Sequence, residues 1–120
     1  MNFNDYYWHD SVLEAIVIDR QNPGNIDEIQ MKINWYTQET SILIFKNVYW
    51  ASFNLNFGFI GSENILFGSE LDQDDPDLLE LYRKRKGHVK NLKVFFIELN
   101  TSGGKIKIIA ENFINKNIKI

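Results

Sequence analysis

Glu28-Ile29-Gln30-Met31-Lys32-Ile33-Asn34-Trp35-Tyr36 alternates with a period of two. Ile29, Met31, Ile33 and Trp35 fall on one side, and Glu28, Gln30, Lys32 and Asn34 on the other. Successive side chains of a strand point to opposite faces, so this stretch reads as a half-buried β-strand with one wet face. The same period recurs to its C-terminal side. Phe53, Leu55, Phe57 and Phe59 alternate with Ser52, Asn54, Asn56 and Gly58, and predict a second strand of this kind. Between them, Ser41 to Trp50 is rich in Ile, Val and aromatics, and Thr37 to Thr40 is a polar connection. To the N-terminal side, Val12 to Ile18 is apolar on both faces apart from Glu14, which predicts a central strand covered on both sides. Asn22-Pro23-Gly24-Asn25 is the turn between these first two strands: Pro fixes φ and Gly can follow at positive φ.

Further along, Ile65 to Leu71 is a weaker strand interrupted by Gly68. Leu92 to Leu99 and Lys105 to Ala110 flank Asn100-Thr101-Ser102-Gly103-Gly104, where the glycines allow the chain to reverse into a hairpin. One segment reads as a helix, near residues 76–86. Asp75 can cap it, Pro76 occupies its first position and Asp77 adds negative charge to the first turn. Leu78, Leu79, Leu81 and Tyr82 supply an apolar stripe, Arg83 to Lys86 crowd the last turn, and Gly87 stops it. The order is five strands, one helix, then two strands. This is an α+β, mainly-β domain: an antiparallel sheet or sandwich of about seven strands with one helix packed on it. A parallel sheet would need a crossover helix between strands, and only one helix is present to supply one.

The chain is 120 residues long, 44% hydrophobic and 24% charged, with 13 basic side chains against 16 acidic and no cysteine. Residues 1–120 fit one domain, large enough to fold without disulfides or metal. The missing cysteine removes thiolate metal sites, iron–sulfur ligation and Cys nucleophiles. A formal charge of -3 argues against nucleic acid as a partner. No apolar run approaches the roughly 20 residues a membrane helix needs, and Met1 to Asp10 has neither a basic n-region nor an apolar segment. The expected location is the cytoplasm, with no membrane partner.

Three polar groupings are candidates for chemistry. In Trp8-His9-Asp10-Ser11, His9 could serve as a general base oriented by Asp10 or another carboxylate, with Ser11 as nucleophile. Adjacent strand residues face opposite ways, so proximity in sequence does not assemble a triad. The competing reading is that Asp10 or Ser11 satisfies backbone donors at a strand entrance while Trp8 packs on the core edge. His88, after the helix stop, stands in no metal-ligand spacing with His9. Glu70, Asp72, Asp74, Asp75 and Asp77 place five carboxylates within eight residues. A calcium loop is excluded, because Pro76 and Asp77 break its turn and Arg83 stands where a bidentate Glu belongs. What remains is solvated loop and helix cap, or an acidic patch meeting a basic partner with Tyr82 and Phe67 as anchors. Arg83 to Lys86 is read as complementing the helix dipole rather than holding phosphate. No cofactor or metal is expected.

Trp8-His9-Asp10-Ser11, the strand ending in Asp19-Arg20, Asn22-Pro23-Gly24, Asp27-Glu28-Ile29 and Ile33-Asn34-Trp35 together resemble a family of small bacterial proteins of this length. Phe45-Lys46-Asn47-Val48, Leu55-Asn56-Phe57-Gly58 and the hairpin with Ser102-Gly103 look similar too. That family is similar to predicted immunity proteins of polymorphic-toxin systems. The resemblance implies a cytoplasmic, non-enzymatic protein that binds and neutralises a toxin, and it carries no residue-level site. The expectation is therefore a binding protein whose partner is another protein, possible contacts being Glu70, Asp72, Asp74, Asp75, Asp77 and Tyr82. The alternatives are a small enzyme using His9 with a carboxylate, and an accessory domain that self-associates through strand edges or the Phe53–Phe59 face.

Overall fold

The Glu28–Tyr36 alternation becomes strand β2 (Ile29–Asn34), with Ile29, Met31 and Ile33 buried and Lys32 and Asn34 exposed. A computed structural model describes residues 1–118. Around β2 stand β1 (Val12–Ile18), β3 (Thr40–Asn54), β4 (Ile65–Leu71), β5 (Lys93–Leu99) and β6 (Lys105–Asn117); helix α1 spans Pro76–Arg85. All strand neighbours are antiparallel, in one six-stranded sheet of order β1-β2-β3-β6-β5-β4. The fold is α+β and mainly β, one sheet with one helix.

Among the described residues the strand count is six because β3 continues through Ser52 to Asn54, pairing with β6 as far as Asn54–Lys105. The stretch expected as a separate strand over Phe53–Phe59 therefore divides: its first two residues finish β3, and Leu55 onward leaves the sheet. Gly58 and Gly61 adopt φ of 92° and 128°, which an extended strand cannot accommodate, so an alternating pattern ends as a loop. β1 also departs from expectation. It is an edge strand, not a central one. A bulge between Leu13 and Ala15 absorbs Glu14. It puts Leu13 and Ile16, three apart, towards the core and leaves Ala15, Val17 and Ile18 exposed.

The inner face of the sheet carries the larger core: Met31, Ile33, Leu43, Phe45, Phe95, Ile97, Ile106 and Ile108, closed by Phe3 and Trp8 from the N-terminal segment. Phe3, in a single 3-10 turn, packs its ring 4.6 Å from Trp8 and 4.8 Å from Phe95. The outer face carries a second cluster, in which Leu78 and Leu81 of α1 cover Leu92, Val94 and Ile109. Around Val94 and Ile109 both faces of the sheet are thus covered, at roughly 1.5–3 kcal/mol for each fully buried aliphatic side chain. The helix forms as its sequence directs. Asp75 accepts from the N–H groups of Asp77 and Leu78, both at 3.1 Å. At the other end Lys86 takes the left-handed conformation, φ 52°, and Gly87 follows at φ 79°.

The sheet curls until its two ends touch. Val12 bridges to Asn64. Asp10 N–H donates to Ile65 O at 2.9 Å, Ile65 N–H to Ser11 O at 2.7 Å, and Leu13 N–H to Glu63 O at 2.9 Å. Closure of this kind removes exposed edges, but here it reaches only as far as Leu13.

Candidate functional site

Trp8-His9-Asp10-Ser11 is an anchor for the N-terminal segment. Trp8 lies over Gly68 of β4, where an added Cβ would fall 2.4 Å from the ring, and its indole N–H donates to Phe3 O at 2.8 Å. Asp10 adopts the left-handed conformation, φ 65°, turning the chain into β1. Ser11 is fully buried; its Oγ donates to Tyr7 O at 2.6 Å and accepts from Tyr36 N–H at 2.8 Å. Of the two expectations for this motif, strand-entrance bonding by Ser11 and core packing by Trp8 are what the geometry holds. Ser11 is committed to backbone partners on both sides. His9 donates from Nδ1 to Leu66 O at 3.1 Å, and its Nε2 stands 3.5 Å from Asp10 Oδ2. The His9 and Asp10 side chains are 59% and 47% exposed. His88 sits in the turn after α1, its N–H donating to Arg85 O at 3.0 Å.

The acidic run divides in the same way. Asp75 is buried and occupied twice, by the helix cap and by Lys107 Nζ, which donates to Asp75 Oδ1 and to Asp77 Oδ2, each at 2.6 Å. The Lys107 side chain is only 17% exposed. Burial alone would lower its pKa, but the bonds and charges of Asp75 and Asp77 outweigh that and hold it above the ordinary lysine value. The basic group that the cluster needs is therefore supplied by β6 of the same chain. Tyr82 is committed too: it packs in the outer cluster and its Oη accepts from Leu92 N–H at 3.0 Å. Phe67 packs 5.6 Å from Phe96. Asp75 is thus closed to a partner by its burial. Among the remaining carboxylates, Asp72 and Asp74 are exposed and Glu70 is half-buried.

The surface with unmet chemistry lies elsewhere, where β1 runs beside the loop that leaves β3. A cleft of about 370 Å³ opens between Leu13–Ile16 of β1, Leu55–Phe59 and Gly61 of the loop, Glu63, and Leu99, Thr101 and Ser102 of the β5–β6 hairpin. Its base is fixed. Glu63 Oε1 accepts from Ser102 N–H at 3.1 Å, and Thr101 Oγ1 donates to Ser62 O at 2.7 Å and accepts from Asn64 N–H at 3.0 Å. Asn56 Nδ2 donates to Ser102 O at 3.0 Å, holding the loop to the hairpin. The loop then presents its apolar residues to solvent. Phe57 is 85% exposed, Phe59 58%, and Ile60 fully. Val17 and Ile18 of β1 are also exposed. Large apolar side chains held out together on one loop mark an interaction surface. The signal in the sequence was Gly58 inside the alternation and Gly61 just past it, which separate a solvent-exposed loop from a half-buried strand.

Among the described residues, no three or more His, Asp or Glu side chains converge as metal donors, and no helix is long and apolar enough to cross a membrane. Comparison with known proteins finds no matching family model and no match among curated proteins.

Proposed function

We propose that this chain is a non-enzymatic binding protein of the immunity type, which neutralises a bacterial toxin by direct protein–protein contact in the cytoplasm. The observation that carries the reading is the exposed apolar loop Phe57–Ile60 beside the cleft at β1. Large aromatic and aliphatic side chains held out on a fixed loop are what the centre of a protein interface is made of. The polar groups first suspected of chemistry support it from the other side. Ser11 and Asp75 are spent on the fold, Asp75 on the helix cap and on Lys107. The resemblance of the N-terminal motifs to predicted immunity proteins supplies the partner class.

Growth rescue tests the proposal. The chain is co-expressed with the toxin domain encoded beside its own gene, alongside the double variant Phe57→Ser/Ile60→Ser. The wild type should restore growth, and the double variant should lose the rescue while melting within a few degrees of wild type, since neither side chain is buried. A folded double variant that rescues fully, or a neighbouring toxin whose action the wild type leaves unchanged, overturns the proposal.

A further inference from the structure

Resting on the protein-binding reading above, we infer that the cleft receives an extended segment of the partner, which adds as a further strand to the outer edge of β1 and carries Lys or Arg opposite Glu14 and Glu63.

Three observations point to that occupant. The first is backbone chemistry. The outer edge of β1 is paired at Val12 and Leu13, with Asn64 and Glu63; among the described residues it has no backbone partner on that side from Glu14 to Ile18. An edge strand left this way presents a row of N–H and C=O groups that another extended chain can pair with. Natural edges are blunted with lysine, proline, inward charge or a bulge. Here the bulge lies at Glu14, next to the part already paired, and Ala15-Ile16-Val17-Ile18 beyond it contains no lysine, proline or charged side chain.

The second observation is shape. Leu55, Phe57 and Phe59 of the loop line the cleft together with Leu13–Ile16 of β1. An added strand lies about 4.8 Å from its neighbour and sends alternate side chains to opposite faces. One face of the incoming strand would meet these apolar side chains.

The third is charge. Glu14 and Glu63 line the cleft, and no Lys, Arg or His does. This separates the possible occupants. A second copy of the chain, pairing β1 with β1 about a two-fold axis, would bring two Glu14 and two Glu63 carboxylates to one seam with no cation in the lining; like charges across paired strands are destabilising. A segment alternating apolar and basic residues meets the same seam with opposite charge, which also speeds encounter.

The test uses the full-length chain, labelled with nitrogen-15, and three synthetic eight-residue peptides: alternating Val and Lys, alternating Val and Glu, and the Val/Lys peptide N-methylated at alternate residues. Amide exchange and chemical shifts are followed residue by residue. The Val/Lys peptide should slow amide exchange within Glu14–Ile18. The Val/Glu and N-methylated peptides should bind roughly tenfold or more weakly, through charge repulsion and through lost backbone bonds respectively. Glu14→Lys should weaken Val/Lys binding and strengthen Val/Glu binding. Three results would overturn the inference: no change at Glu14–Ile18 with the Val/Lys peptide, equal binding of the N-methylated peptide, or slowing at Glu14–Ile18 that grows with protein concentration in the absence of peptide, which assigns the edge to a second copy. Peptide failure with intact growth rescue removes strand addition and leaves the binding reading standing. Loss of the Phe57/Ile60 dependence of rescue removes the reading itself.

Discussion

The sheet has two edges, and the protein treats them oppositely. The outer edge of β4 is covered by the N-terminal segment. Asn4 Oδ1 accepts from Glu70 N–H at 2.7 Å, His9 Nδ1 donates to Leu66 O at 3.1 Å, Asp10 N–H donates to Ile65 O at 2.9 Å, and Trp8 lies against Gly68. Among the described residues, the outer edge of β1 gains nothing of the kind beyond Leu13. Two strands of seven residues each, at opposite ends of one sheet, thus differ in whether their backbone is available. The difference separates two roles that the sequence presents alike. Trp8-His9-Asp10-Ser11, the most conspicuous polar motif, closes one edge. The apolar run Ala15–Ile18, which pattern alone reads as a covered central strand, leaves the other open with the loop beside it.

The largest test of this contrast removes the cover. Trp8 is almost fully buried and touches Phe3, Tyr6 and Trp35. Trp8→Ala should cost about 3–5 kcal/mol in urea unfolding, in the range of buried aromatic truncations; a loss below about 1 kcal/mol would show that the segment is not integral to the fold. Gly68→Ala comes next. A methyl there meets the Trp8 ring at 2.4–2.9 Å, so the ring must move, and overpacking of this sort costs about 1–3 kcal/mol. Trp8→Leu should recover part of that loss, while unchanged stability of the Gly68 variant would contradict the close approach. Ser11→Ala should be similar or smaller, about 1–3 kcal/mol, because Tyr36 N–H loses its acceptor.

A smaller, pH-dependent effect lies on the outer face. Folding raises the pKa of Lys107. The stabilisation it gives is therefore complete below the ordinary lysine range and is lost as pH climbs through the raised value. Thermal melts of the wild type should decline on that alkaline limb, and Lys107→Met should be less stable at neutral pH with a flatter limb. Identical pH profiles for the two proteins would show that the Asp75–Lys107–Asp77 contact contributes nothing. The smallest stability change should come from the open side, where Ile60→Ser alters unfolding by no more than about 0.5 kcal/mol yet reduces growth rescue by the proposed immunity function.

Much of the fold was legible because burial on one face writes itself into the sequence with a period of two. Ile29, Met31 and Ile33 and the hairpin after Leu99 follow directly from pattern and turn chemistry. The helix was legible from end to end, since Asp75, Pro76 and the basic last turn act locally. What pattern alone does not reveal is neighbours. Val12–Ile18 is apolar enough for a central strand, and only the bulge at Glu14 and the sheet order make it an edge. Phe53–Phe59 alternates as a strand does, yet the left-handed Gly58 and Gly61 turn its second half into a loop. The acidic run was visible as a charge cluster, but its cation, Lys107, is 30 residues or more away in sequence and joins it only through tertiary packing.

Amide hydrogen exchange of the two edges, measured on the free chain and again with the proposed toxin partner added, addresses the contrast most directly. The Glu70 amide, held by Asn4, should exchange slowly in both states, while amides within Glu14–Ile18 exchange fast in the free chain and slow on binding. Uniform protection along β1 before any partner is added, or binding that leaves Glu14–Ile18 unchanged, would contradict an open edge that acts as the receiving surface.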